Sequence, residues 1–164
     1  MTDLACYRQI AALHKRSLPY GFLSSLRIDS LAVIYRALDA GHGSVVLTRY
    51  DRDVLTGFVA GSISRKAQIS ALLSHAFSIS IRLIFDPALY LKFGKMLAIA
   101  SHFGSTSDAR QGLPSAELLT IAVSPEYRGQ KYGKELYLDL VVWFEQRDIL
   151  EFHIRVGKAL HNAQ

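Results

Sequence analysis

The densest chemistry of the chain lies in residues 116–134, AELLTIAVSPEYRGQKYGK. Glu117–Val123 is an apolar run with β-branched members and reads as a strand. Ser124–Gln130 reads as a turn, and Lys131–Arg147 as a helix. A strand thus runs into a basic, glycine-containing loop that opens directly into a helix. The first amides of a helix have no intrahelical acceptor and carry partial positive charge, so they bind phosphate well. Gly129 and Gly133 let the backbone approach an anion where a side chain would block it. Arg128, Lys131 and Lys134 add cationic charge. A pyrophosphate is the natural guest. Two other phosphate loops are excluded by spacing. A Walker loop has four residues between its glycines and Ser or Thr after its Lys; here three separate Gly129 from Gly133, and Glu135 follows Lys134. The dinucleotide pattern G-x-G-x-x-G is absent as well.

This segment resembles the GNAT superfamily of N-acyltransferases. Ile121-Ala122-Val123-Ser124-Pro125 matches the aliphatic-x-Val-x-Pro end of that family's cofactor strand. Arg128-Gly129-Gln130-Lys131-Tyr132-Gly133 follows its [Q/R]-x-x-G-x-[G/A] loop, except that Lys131 stands where the middle glycine is usual. The resemblance implies acetyl-CoA as co-substrate and an amine acceptor that attacks the thioester directly. It places Ile121, Ala122 and Val123 along the pantetheine arm, with the backbone of Ile121 and Val123 pairing to it. It places the amides of Arg128, Gly129, Gln130, Lys131, Tyr132, Gly133 and Lys134 around the pyrophosphate. Glu117, six residues before Val123, stands where several members carry a catalytic carboxylate, which would make the amine neutral. The other reading of Glu117 is an ordinary strand-edge acid. His153 is a second ionisable candidate, although a solvated or satisfied sheet histidine is the plainer reading. Residues 156–163, VGKALHNA, are similar to the family's following strand-to-helix region, in which Asn162 would contact the cofactor arm. No metal is implied.

These residues need elements to position them. Leu4, Tyr7, Ile10, Ala11, Leu13 and Leu18 recur at helical spacing, and Pro19-Tyr20-Gly21 interrupts them. A second helix is expected over Ile28–Leu38, with Leu31, Ile34, Tyr35 and Leu38 on one face. Ser44–Tyr50 and Val54–Ser64 read as an antiparallel hairpin around Asp51-Arg52-Asp53. Gly57 and Gly61 inside its second strand suggest a bulge or a close approach by another backbone. Leu136, Leu140, Trp143 and Phe144 form the stripe that the helix after the loop would bury, and Ile149–Val156 reads as a further strand. The expected fold is α/β: a mixed, mainly antiparallel sheet flanked by helices, parallel only near the cofactor strands, with a helical insertion around 66–103. Residues 1–164 read as a single N-acyltransferase-like domain. Set against the family pattern, it is expected to be incomplete at the C-terminus, and that motivates an alternative, a truncated, catalytically silent module that binds acyl-CoA or a partner.

The composition fits a globular protein: half of the residues are apolar and a fifth are charged, which excludes a disordered chain. The net charge of +5 arises in residues 1–110, which hold 13 Lys and Arg against 7 Asp and Glu. That excess is dispersed, with no run longer than two residues, so a nucleic-acid partner is not expected. The insertion contains a mostly apolar stretch, Ala67–Phe85, interrupted by Arg82. It reads as a buried or partner-facing helix pair; contact of 67–103 with a membrane surface and self-association as a homodimer stay open. Cys6 is the sole cysteine, so no internal disulfide forms. Together with the lack of a secretion-like start, this leads to a cytoplasmic expectation.

Overall fold

The computed structural model describes residues 4–19, 22–74 and 114–154. Most of the expected insertion (75–103) and Asn162 therefore lie outside the described residues. The elements are α1 (Leu4–Ser17), a single turn α2 (Phe22–Ser25), α3 (Ile28–Ala40), β1 (Ser44–Asp51), β2 (Val54–Ser62), α4 (Arg65–Ser74), β3 (Glu117–Val123), a 3-10 turn (Pro125–Tyr127), α5 (Tyr132–Glu145) and β4 (His153–Ile154). α4 is the described beginning of the insertion.

Four strands form one sheet in the order β1-β2-β3-β4. β1 pairs with β2, and β2 with β3, antiparallel; β3 and β4 run parallel. The fold is therefore the mixed, mainly antiparallel α/β architecture that the sequence implies. The register between β2 and β3 slips once, because Ala60 faces Thr120 while Gly61 faces Leu118, which leaves Leu119 as the extra residue of a bulge.

Helices cover both faces of the sheet. On one face α1 and α3 pack together through Ile10, Ala11, Leu31 and Tyr35 and bury Phe58, Ala60 and Ala122 of the sheet. On the other, Leu136, Leu140 and Phe144 of α5 close over Val59 and Leu118. β2 lies between the two layers and is buried from Leu55 to Ser62, which is why its pattern is continuous instead of alternating. Each large apolar side chain removed from water here, such as Phe58 or Leu140, contributes roughly 1.5–3 kcal/mol.

One expected strand begins later than its apolar composition suggests. Asp148 adopts φ 58°, Asp148 N–H donates to Glu145 O and Ile149 N–H to Phe144 O. This is a Schellman end to α5. It claims the backbone of 148–149 for the helix, so β4 begins at His153 and not at Ile149.

Candidate functional site

The site is built along β3 and beyond its C-terminal end. Ser124 N–H donates to Thr56 O at 2.8 Å. Strand alternation then turns the backbone groups of Thr120 and Ala122 toward β2 and those of Ile121 and Val123 toward the opposite edge. On that edge β4 pairs only with Glu117 and Leu118 among the described residues. The peptide groups of Ile121 and Val123 thus face away from β2, toward the edge on which β4 lies. Their side chains join the α5 layer, while Ala122 is buried against α1 and α3. The Ser17 hydroxyl lies 3.4 Å from the Val123 carbonyl, a contact that brings the end of α1 to this edge.

After β3 the chain turns through Pro125–Tyr127, with Tyr127 N–H on Ser124 O at 2.9 Å and Arg128 N–H on Pro125 O at 3.3 Å. Gly129 has φ 78°, and a Cβ there would meet nothing within 4 Å. It is required by the backbone conformation, and it leaves the loop surface open. Lys131 has φ 67° and ψ −4°, a left-handed conformation that costs a non-glycine residue roughly 1–2 kcal/mol. This is the position at which the family pattern has glycine, so the conformation accounts for that preference. The N-terminus of α5 has no side-chain cap, and its first turn closes with Glu135 N–H on Lys131 O at 3.1 Å. The amides of Tyr132, Gly133 and Lys134 are the donors that a helix start leaves over.

Arg128, Gly129, Gln130, Lys131 and Lys134 are exposed, and Tyr132 and Gly133 half-buried. The nearby acids are engaged elsewhere. Glu126 accepts from the Ser124 hydroxyl and pairs with Arg16 at 3.4 Å. Its carboxyl is held below the usual range by Ser124 first, then by a backbone N–H, with Arg16 and Arg128 adding to this. Glu135 and Asp139 lie 3.6 and 2.9 Å from Arg49. No ion pair to Arg128, Lys131 or Lys134 occurs among the described residues, which leaves the loop cationic.

At the other end of β3, Glu117 and His153 are direct partners in the parallel ladder. Glu117 Oε2 lies 3.5 Å from His153 Nε2, and the two side chains are only 16% and 19% exposed. His153 Nδ1 lies 2.9 Å from Pro114 O. The structure thus brings together the two ionisable candidates that the sequence presents separately. Val123 lies six positions after Glu117, about 20 Å at full extension, so the carboxylate and the basic loop sit at opposite ends of one strand.

A third polar group has no signal in the sequence. His14 of α1 is buried, with Nδ1 2.6 Å from the Tyr35 hydroxyl, and its ring stacks on Phe58. Burial, and secondarily the charge of Lys15, pushes its pKa down to about 4, so it is neutral at pH 7. Burial drives the Tyr35 phenol up, against a hydrogen bond from Thr120. Thr120 adjoins the bulge, so this buried chain reaches the middle of β3. Among the described residues no group of three or more His, Cys, Asp or Glu is placed to hold a metal ion, and no helix is long and apolar enough to cross a membrane.

Comparison with known proteins extends the picture. The model of the family described as "Acetyltransferase (GNAT) family" matches residues 7–164. No curated protein matches the chain in sequence. Among solved structures, the aminoglycoside antibiotic 6′-N-acetyltransferase of Acinetobacter haemolyticus is similar with a TM-score of 0.58 at 15% identity, covering 98% of this chain and 79% of that one. The ribosomal-protein-alanine N-acetyltransferase of Brucella melitensis biovar Abortus 2308 follows with a TM-score of 0.50 at 14% identity, covering 94% and 76%. At these identities the likeness is one of fold.

Proposed function

The chain belongs to the acetyltransferase (GNAT) family, and from that premise we propose that it moves an acetyl group from acetyl-CoA to an amine acceptor by direct attack. The observation that carries this reading is the alignment of three features. The Ile121 and Val123 peptide edge faces away from β2, an open cationic loop follows it, and α5 begins without a side-chain cap.

In this reading acetyl-CoA is a substrate, not a resident cofactor. The peptide groups of Ile121 and Val123 hold its pantetheine amides, with Ala122 as the buried link between them. The amides from Arg128 to Lys134 take the pyrophosphate, and the side chains of Arg128, Lys131 and Lys134 neutralise its charge. Asn162 is assigned to the cofactor arm by the family pattern alone. Glu117 removes a proton from the acceptor ammonium, which frees the nitrogen lone pair. The amine nitrogen then bonds to the thioester carbonyl carbon, the C–S bond breaks, and the departing sulfur takes the second proton of the attacking nitrogen, so that the neutral amide and the CoA thiol are the products. Backbone N–H groups of the strand edge supply charge stabilisation at the carbonyl oxygen. A cytoplasmic location belongs to the same reading.

The acceptor is an amine whose class the fold does not restrict. The two structural neighbours are named for an aminoglycoside antibiotic and for an alanine of a ribosomal protein, so kanamycin and an alanine-starting peptide are the first probe amines. Calorimetric titration with acetyl-CoA, CoA and ATP tests the donor site. Micromolar binding of acetyl-CoA and CoA without ATP binding, followed by transfer of labelled acetyl to a probe amine, is the expected result. Equal binding of ATP, or no CoA binding, would sink the loop assignment.

A further inference from the structure

We propose that His153 is the positioning residue for Glu117: it orients the carboxylate and carries the proton onward to solvent. The inference rests on the reading above that Glu117 is the base, and adds a residue to it.

The argument starts from what holds the imidazole. The backbone N–H of His153 donates to Ala116 O at 3.0 Å, and its ring Nδ1 lies 2.9 Å from Pro114 O. Both anchors belong to the short segment that leads into Glu117, and Ser115 Oγ fixes that segment to Ile63 O at 3.1 Å. The ring is therefore placed by the same stretch of backbone that places the carboxylate. A carbonyl oxygen only accepts, so Nδ1 carries the hydrogen in this arrangement. In the neutral ring Nε2 then presents a lone pair, and it presents that lone pair to Glu117 Oε2 at 3.5 Å.

The neutral ring has a single N–H to donate. The Pro114 carbonyl already satisfies its one N–H, and a lone pair aimed at a carboxylate is unfavourable unless a proton comes between them. The pair is also largely withdrawn from water, which strengthens that electrostatic demand. The arrangement suits a carboxylate that gains a proton during each turnover. Glu117 takes a proton from the acceptor ammonium and becomes a carboxylic acid. The proton passes from Oε2 to Nε2, which restores the carboxylate and leaves an imidazolium. The imidazolium returns it to water. One proton moves from ammonium to solvent, and no electrons change hands. The Nδ1 anchor keeps the ring in place throughout.

The test uses the full chain with labelled acetyl-CoA and the probe amine that the wild type acetylates. His153→Ala is expected to lower kcat about tenfold or more, with acetyl-CoA affinity unchanged by calorimetry. Added imidazole should restore much of that loss, which it would not do for a packing defect. His153→Gln, which keeps a hydrogen-bonding group but cannot relay a proton, should be as slow as His153→Ala. Glu117→Gln with His153→Ala should be no slower than Glu117→Gln alone, since the two act in series. Nitrogen-15 spectra of the neutral ring should show the Nδ1–H tautomer. Wild-type kcat in His153→Ala, or an Nε2–H tautomer, overturns the proposal. A fully active Glu117→Gln overturns the base assignment beneath it, and that result appears in its own variant, separate from the histidine data.

Discussion

A Cβ built on Gly61 would lie 2.5 Å from Leu140 Cδ1 and 3.3 Å from Phe144 Cζ. α5 therefore sits on β2 as closely as a residue without a side chain allows, and this contact fixes the height of the loop above the sheet. Leu140 and Phe144 are fully buried. Gly61→Ala is expected to destabilise by about 1–3 kcal/mol through overpacking. Thermal unfolding of the purified variant checks it; an unchanged melting temperature would mean that the helix can stand further off.

Glu117→Gln keeps the shape of the side chain and removes the base. Turnover at neutral pH should fall about a hundredfold, while acetyl-CoA binds as before, because the carboxylate and the loop lie at opposite ends of β3. Steady-state kinetics with parallel calorimetry separates the two effects, and a fully active variant would dismiss Glu117.

Gly133→Asp tests the helix start. A Cβ there would touch only Val123 Cγ2, at an ordinary 3.6 Å, and an acid in the first turn suits the helix dipole. The fold should therefore be retained while the carboxylate competes with the pyrophosphate for the same amides. We expect acetyl-CoA affinity to drop about tenfold or more, about 1.4 kcal/mol. A calorimetric Kd equal to that of the wild type would remove this turn from the site.

Lys131→Gly relieves a left-handed residue. The strain removed, roughly 1–2 kcal/mol, exceeds the entropic cost of a glycine, roughly 0.5–1 kcal/mol. Denaturant unfolding should show a modest gain in stability, and Lys131→Val, whose branched side chain fits φ 67° badly, a clear loss. Equal midpoints for the two variants would contradict the backbone assignment.

His14 couples stability to pH. Its pKa is about 4 in the folded chain against 6.5 unfolded, so the unfolded state binds the extra proton first. The stability is fully present above pH 6.5 and is lost as pH falls toward 4, on the order of 3 kcal/mol in total. Urea midpoints measured across this window should fall with pH in the wild type and fall less in His14→Phe. Parallel slopes in the two proteins would assign the loss to other groups.

Much of the site was legible because its chemistry is contiguous. The strand Glu117–Val123, the turn after Pro125 and the helix carrying Leu136, Leu140 and Phe144 occupy one short stretch. There β-branched runs, glycine and helical spacing act on neighbouring residues, and the substitution of Lys131 for glycine shows in the letters alone. The hairpin of β1 and β2 was legible for the same reason.

The pairings across the sheet were not. Glu117 meets His153 only because β3 and β4 run parallel and in that register. Arg16 reaches Ser124 across 108 residues, and His14 finds Tyr35 inside the layer between α1, α3 and Phe58. Nor does the sequence show the bulge at Leu119 or the helix end that sets where β4 begins. Local propensity and apolar period decide which residues form an element and which face is apolar. Which faces meet, and in what register, follows from burying β2 between two helical layers, a condition that involves the whole chain at once. By itself the sequence thus determined an apolar strand followed by a basic, glycine-containing loop at a helix start. The tertiary structure decided which imidazole of the neighbouring strand meets its carboxylate and which of its peptide groups face away from β2.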